Sequence, residues 1–185
     1  MKKAMSVPML LIGILLLATG FYAVGRGFDA KDQVNTQLYS QNVTTPADAS
    51  IPNARVRDAA TAESMAKWVD STIKKATGGR SYNAVGHYLT ANGKDTDDVT
   101  AAALGADGQP VVNPLRDIAF EASAGTTGLY TSVMASHLGD VAIGLGLALG
   151  AIGLAFSGFG IAFAGLTAPA LARRLHLHHA APHRA

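Results

Sequence analysis

Two long apolar runs without a charge flank a polar middle of the chain. The first is Val7–Val24 and the second is residues 141–171. A transmembrane helix needs about 20 apolar residues to cross a hydrocarbon core roughly 30 Å thick. The pattern therefore predicts two membrane-spanning helices, at residues 7–25 and 139–168.

The first apolar run also fits a second interpretation, a cleavable signal peptide. Lys2 and Lys3 precede it, as basic residues do in such peptides. The run is long for a signal peptide, however, no clean cleavage pattern follows it, and the best candidate is Ala18-Thr19-Gly20 within the run. The sequence favours a retained span and leaves cleavage open.

Charge is distributed unevenly between the ends and the middle of the chain. Both ends are basic, whereas residues 26–138 carry ten Lys and Arg against twelve Asp and Glu. Short basic segments stay in the cytoplasm and long loops are exported. This predicts a membrane protein with residues 1–6 and 169–185 in the cytoplasm and residues 26–138 outside it. The basic residues form no patch in the middle segment, so no nucleic-acid partner is expected.

Residues 58–77 carry the clearest helical pattern of the polar middle. Asp58 can cap this helix, and Gly78-Gly79 can end it. Apolar positions recur at spacings of three and four, which predicts one side facing a core, with Trp68 as its anchor. That face comprises Met65, Trp68, Val69, Thr72, Ile73 and Ala76.

The segments on either side of this helix give weaker signals. Residues 42–57 contain two prolines and small polar residues, which predict an extended connector. Residues 81–89 predict a short helix, with Tyr82, Val85 and Leu89 facing inward.

The last part of the polar middle predicts another helix. Val111-Val112 can form a short strand, and Asn113 with Pro114 can start the helix that follows. Residues 115–137 then predict a helix that is broken or kinked at Gly125 and Gly128. The predicted fold class is mainly α, with two transmembrane helices packed as a hairpin and a mostly helical extracytoplasmic domain between them.

Small residues recur at regular spacing in the second apolar run. One glycine series has a spacing of seven, and a second small-residue series falls between its members. The combined spacings of four and three are the geometry of a left-handed helix pair, and in lipid small residues let two backbones approach closely. The candidate helix-packing residues are Gly139, Gly146, Gly150, Gly153, Ser157, Gly160 and Ala164, together with Gly13 and Gly20 in the first run. The partner is the other span of the same chain, a second copy in a homo-oligomer, or a foreign membrane subunit.

The tail of the chain is rich in histidine and is the candidate metal site. Imidazole nitrogens bind zinc, copper or nickel. The candidate ligands are His176, His178, His179 and His183. A basic tail beside anionic lipid is the alternative interpretation.

The polar middle offers little other chemistry. Asn92, Asp95, Asp97 and Asp98 resemble a calcium loop faintly, but their spacing does not match the EF-hand pattern. Its only histidines are His87 and His137, and no nucleophile elbow or phosphate-binding loop is present. No catalytic residue and no cofactor is expected.

Several segments together resemble a known group of proteins. They are TTPADASIPNARVRDAATAESMA, KATGGRSY, NPLRDIAF and LYTSVMASHLGDVAIGLG. As a set they are similar to an uncharacterised family of actinobacterial two-span membrane proteins, over roughly residues 10–160. Members are sometimes labelled as subunits of aromatic ring-opening dioxygenases. That label would require a metal triad that residues 26–138 do not supply. The resemblance implies a bacterial plasma membrane and transfers no catalytic residue.

Two functions follow as hypotheses. The first is a non-enzymatic accessory or scaffolding protein that sits in the lipid bilayer and presents its exported domain to a membrane or cell-envelope protein. The alternative is metal binding or sensing through the histidine tail.

Overall fold

The protein is mainly helical in a computed structural model, which describes the backbone of residues 2–178 and the side chains of residues 6–163. Two of its helices are long and apolar enough to cross a membrane. In chain order the elements are α1 (Lys2–Ser40), α2 (Ala59–Ala76), a 3₁₀ turn (Tyr82–Ala84), β1 (Tyr88–Leu89), β2 (Asp95–Thr96) and α3 (Pro114–His178).

Both long helices extend well beyond the predicted spans. Helix α1 continues to Ser40, and α3 is uninterrupted from Pro114. The predicted break at Gly125 and Gly128 is therefore wrong. A helical glycine costs only about 1 kcal/mol relative to alanine, and the many good helix formers on either side outweigh that cost.

The chain divides into two compact units. We call residues 1–30 with 138–185 the terminal unit, and residues 31–137 the central unit. The terminal unit contains the first part of α1 and the last part of α3. The central unit contains the other elements.

Helix α2 of the central unit begins and ends where the sequence predicts. The Asp58 carboxylate accepts a hydrogen bond from the Thr61 backbone at 2.9 Å, and the Thr61 hydroxyl interacts with the Asp58 backbone, which completes a capping box. After the helix, Gly78 and Gly79 adopt φ values of +63° and +83°, a region that glycine enters without strain. The predicted cap and stop are confirmed.

The core of the central unit is small and draws on three helices. Leu38 of α1, Val56 of the loop before α2, and Ala62 of α2 are buried at its centre. Partly buried apolar side chains surround them, namely Val34, Val43, Met65, Leu129 and Val133. The core is thus built from segments that are far apart in sequence.

The predicted face of α2 is only partly correct. Met65 packs against the core, but Thr72 and Ala76 are exposed. Trp68 lies at the edge, where its indole Nε1 donates a 2.7 Å hydrogen bond to the Asp48 carboxylate. It is not the predicted core anchor, because the small residues Thr61, Ala62, Ser64 and Ala66 take the buried positions and bring α2 close to its neighbours.

Residues 42–57 form a compact loop, so the predicted extended connector is wrong. Thr44 and Arg55 pair as an antiparallel bridge, and Thr45 is 1% exposed. The loop is attached to α2 by the Ser64 hydroxyl, which accepts a 2.8 Å hydrogen bond from the Ile51 backbone. Polar side chains therefore order this segment together with Val43 and Val56, which pack in the core.

Residues 81–113 are also less helical than predicted. The expected helix over 81–89 is a 3₁₀ turn followed by β1, which pairs with β2 in antiparallel register, Tyr88 opposite Thr96. Val112 forms an isolated antiparallel bridge with Tyr88, so the strand predicted for Val111-Val112 is present only as a single bridge residue. Asn113 accepts a hydrogen bond from the Leu115 backbone at 3.1 Å and caps α3, which starts at Pro114 as predicted.

Candidate functional site

The candidate site is a ladder of small residues in the terminal unit. Helix α1 buries Ser6, Gly13, Gly20 and Gly27, and α3 buries Gly139, Gly146, Gly153 and Gly160. Each series has a spacing of seven, which is two helical turns, so each forms one stripe along its helix. We call these eight positions the glycine seam.

The backbones approach one another closely along the glycine seam. A Cβ atom placed on Gly20 would lie 2.6 Å from the Gly146 carbonyl oxygen, and one placed on Gly146 would lie 2.6 Å from the Gly20 carbonyl oxygen. Real Cβ atoms essentially never approach other heavy atoms below 3.0 Å. No side chain fits at either position without moving a helix.

The same geometry repeats on both sides of this pair. A Cβ on Gly153 would lie 2.7 Å from the Gly13 carbonyl oxygen, and one on Gly27 would lie 2.7 Å from that of Gly139. Towards the start of the chain the approach relaxes, since a Cβ on Gly160 would meet the Ser6 carbonyl oxygen at 3.2 Å. Partners in α1 and α3 run in opposite directions along the chain, so the two segments are antiparallel.

Large side chains fill the spaces between the glycines. Val24 reaches within 2.7 Å of the Cβ position of Gly146, and Leu17 within 2.9 Å of that of Gly153. Ile143 of α3 does the same at Gly27, within 2.6 Å. Each large residue of one helix thus occupies the room that a missing side chain leaves on the other, which brings the two helices into van der Waals contact.

The remaining predicted packing residues occupy less central positions. Gly150 is half-buried, with nothing within 4 Å of its own Cβ direction, but its backbone contacts Gly20. Ser157 is also half-buried, and its hydroxyl oxygen lies beside Gly13 without a hydrogen-bond partner among residues 6–163. Ala164 falls outside the described side chains.

Sequence reasoning missed part of the glycine seam. Gly27 lies one further step of seven beyond Gly20, and Ser6 one step before Gly13. Gly27 lies beyond Arg26, outside the uncharged run, so the span predicted from hydropathy does not include it. The large residues at the seam could not be distinguished by composition from those that face outward.

The histidine tail cannot be placed in the same way. The side chains of His176, His178, His179 and His183 lie outside the described residues, and metal binding there stays a prediction. Within residues 6–163 no group of three His, Cys, Asp or Glu side chains is arranged to hold a metal ion.

The acidic residues near β2 hold the local backbone together. Asp95 accepts hydrogen bonds from Arg80 at 2.7 Å and from the Gly86 backbone at 2.8 Å. Asp97 lies 2.6 Å from His87 Nδ1, with both side chains more than half exposed, and this contact lowers the pKa of the Asp97 carboxyl. Hydrogen bonds from the Thr100 side chain and backbone likewise lower the pKa of Asp98. Each carboxylate therefore has a structural role in its turn.

Comparison with known proteins adds no further constraint. No protein-family profile, curated protein or solved structure matches the chain.

Proposed function

We propose that this chain is an integral membrane protein whose spans form a tightly packed transmembrane hairpin, and that it acts as a non-enzymatic accessory or scaffolding protein. The hairpin holds residues 26–138 outside the cytoplasm, where a membrane or cell-envelope protein binds them. Both termini are cytoplasmic in this proposal, and the membrane is a bacterial plasma membrane.

The glycine seam is the observation that carries the proposal. Only 11% of the most apolar window of each long helix is buried inside the protein. The buried part is the stripe of small residues, and large apolar side chains such as Leu15, Phe21 and Leu154 are 64–75% exposed. A water-soluble helix pair would bury its large residues. The reverse arrangement suits lipid, which solvates the large residues while the small ones pack.

The glycine seam also supports a retained first span. Cleavage after Ala18-Thr19-Gly20 would remove Ser6, Gly13 and Gly20 from the chain, leaving Gly146 and Gly153 without their partners. The intact mass of the protein purified from native membranes tests this point. A mass equal to the full chain supports the hairpin, and a mass reduced by the first twenty residues contradicts it.

Orientation can be tested with single cysteines, because the chain has none of its own. Ala106→Cys, at an exposed position of the central unit, should react with a membrane-impermeant maleimide in intact spheroplasts. A cysteine appended after Ala185 should react only after permeabilisation. The opposite pattern would overturn the proposed topology.

The accessory role is tested by purification in mild detergent from native membranes, with mass spectrometry and metal analysis of the same sample. A stoichiometric membrane or envelope partner supports the proposal. A lone protein that carries about one transition-metal ion would overturn it in favour of the histidine tail.

A further inference from the structure

The central unit contains an apolar cavity of about 510 Å³ next to its core. This volume falls in the range of roughly 300–1,000 Å³ that is typical of small-molecule sites. The cavity is lined mainly by aliphatic side chains: Leu38, Val43, Val56, Met65, Val69 and Leu129.

The chemistry of the lining restricts the ligand. None of the lining residues is charged and none is aromatic, so the cavity offers neither a partner for an ionised group nor a surface for stacking a flat ring. Its polar side chains are Gln37, Gln41 and Ser132. Gln37 lies in the last turn of α1, and Gln41 lies in the turn that directly follows this helix. The lining therefore matches an aliphatic body with one uncharged polar group.

Two glycines of α3 leave the cavity open. Gly125 and Gly128 line it, and no atom lies within 4 Å of the Cβ direction of either residue. A Cβ atom at either position would therefore meet no other atom of the protein. This distinguishes them from the glycine seam, where an added Cβ meets backbone atoms.

We propose that this cavity binds one uncharged single-chain lipid or one acyl chain of a neutral lipid, with a hydroxyl or carbonyl group hydrogen-bonded by Gln37, Gln41 or Ser132. The site is independent of the proposed orientation in the membrane.

The test uses the full-length protein in lipid nanodiscs with a monoacylglycerol that carries a photoreactive diazirine in its acyl chain. Irradiation should label peptides that contain Met65 and residues 122–132. This labelling should saturate and be displaced by excess unlabelled monoacylglycerol. Labelling of Val7–Val24 and residues 141–163 by bulk lipid should not saturate, and it provides an internal control.

Two cavity-filling variants, Gly125→Leu and Gly128→Leu, should each lower the saturable labelling about tenfold. Ala124→Leu, at an exposed neighbouring position of α3, is the matched control and should leave labelling unchanged. Circular dichroism of all three variants verifies that they fold. Labelling of the central unit that does not saturate, or that survives both variants, would overturn the site.

Two further measurements sharpen the assignment. A diazirine fatty acid, which is ionised at neutral pH, should label the cavity more weakly than the monoacylglycerol, and preferential labelling by the fatty acid would refute an uncharged ligand. Native mass spectrometry of the protein from its own membranes distinguishes a retained single-chain lipid from a two-chain lipid. A Gly128→Cys variant that forms a disulfide-linked dimer when an oxidant is added would instead identify a second copy of the chain as the occupant, because the native chain has no cysteine.

Discussion

Replacement of Gly20 by alanine tests the glycine seam with the smallest possible perturbation. The new Cβ would lie 2.6 Å from the Gly146 carbonyl oxygen, about 0.8 Å inside the ordinary contact distance of 3.4 Å. The three atoms nearest to this Cβ are all backbone atoms, so a side-chain rotation cannot relieve the clash and the helices must separate. A gap of 0.5–1 Å forfeits roughly a quarter to a half of each contact's attraction. We therefore expect a loss of about 1–3 kcal/mol, the usual cost of overpacking.

The assay needs a reporter in the terminal unit, because Trp68 lies in the central unit. The cysteine-free chain allows two spin labels to be placed through Val7→Cys and Ile161→Cys, at positions that are 60% and 63% exposed. Their distance distribution during a titration with SDS gives the free energy of helix separation. Gly20→Ala should shift the midpoint to lower SDS and broaden the distances.

The control makes the same chemical change where there is room. Gly144→Ala and Gly158→Ala lie on α3, with nothing within 4 Å of their Cβ directions. Alanine is the better helix former, so these variants should match or slightly exceed the stability of the native chain. Equal losses in both kinds of variant, or no loss in Gly20→Ala, would refute the close approach as the source of stability.

Three further predictions concern single polar groups. Ser157→Ala removes a buried hydroxyl without a described partner and should stabilise the terminal unit by about 1 kcal/mol in the SDS assay, whereas a comparable loss would reveal a hydrogen bond. Asp58→Ala removes the cap of α2 and should cost the central unit about 1 kcal/mol in thermal unfolding followed by Trp68 fluorescence. Burial alone would raise the pKa of Asp58, but hydrogen bonds from Thr61 and the Arg57 charge lower it overall. The stability that Asp58 contributes is therefore present above the unfolded pKa of 3.8 and is lost as the pH falls through the lower folded pKa. Asp58→Ala should lack this loss of stability at acid pH, and an unchanged pH dependence would contradict the assignment. Arg116→Met leaves the Tyr82 and Val85 carbonyl oxygens without their guanidinium donor and should cost about 2 kcal/mol in the same thermal assay. Arg116→Lys should recover part of this loss of stability. An Arg116→Met variant as stable as the native chain would show that these hydrogen bonds contribute nothing to stability.

Local signals explain which elements could be predicted from the sequence. Helix α2 is specified within its own segment by Asp58 and by the glycines after its last turn, so its bounds were predictable. The loop over 42–57 was not, because its order depends on Thr45 and on a hydrogen bond from Ile51 to Ser64, thirteen residues away. Spacing along one chain cannot reveal which distant hydroxyl will meet which backbone group.

The sequence predicted which residues of α3 form the candidate site, but not what they pack against. The glycines spaced by seven can be identified in the sequence, and the structure buries the same four glycines of α3. Spacing cannot say which helix lies opposite, and therefore could not show that Leu17 and Val24 face Gly153 and Gly146. The cavity of the central unit left no sequence signal, since it joins residues of α1, α2 and α3.

The register of the glycine seam limits how the lengths of the two helices can change in evolution. One inserted residue rotates everything beyond it by about 100°, which would turn the remaining glycines away from their partners. A change of seven residues restores the facing direction, because it spans two turns. Insertions and deletions in either apolar segment should therefore survive among relatives in units of seven residues. The length of each helix would then change only in steps equal to the spacing between Gly13 and Gly20.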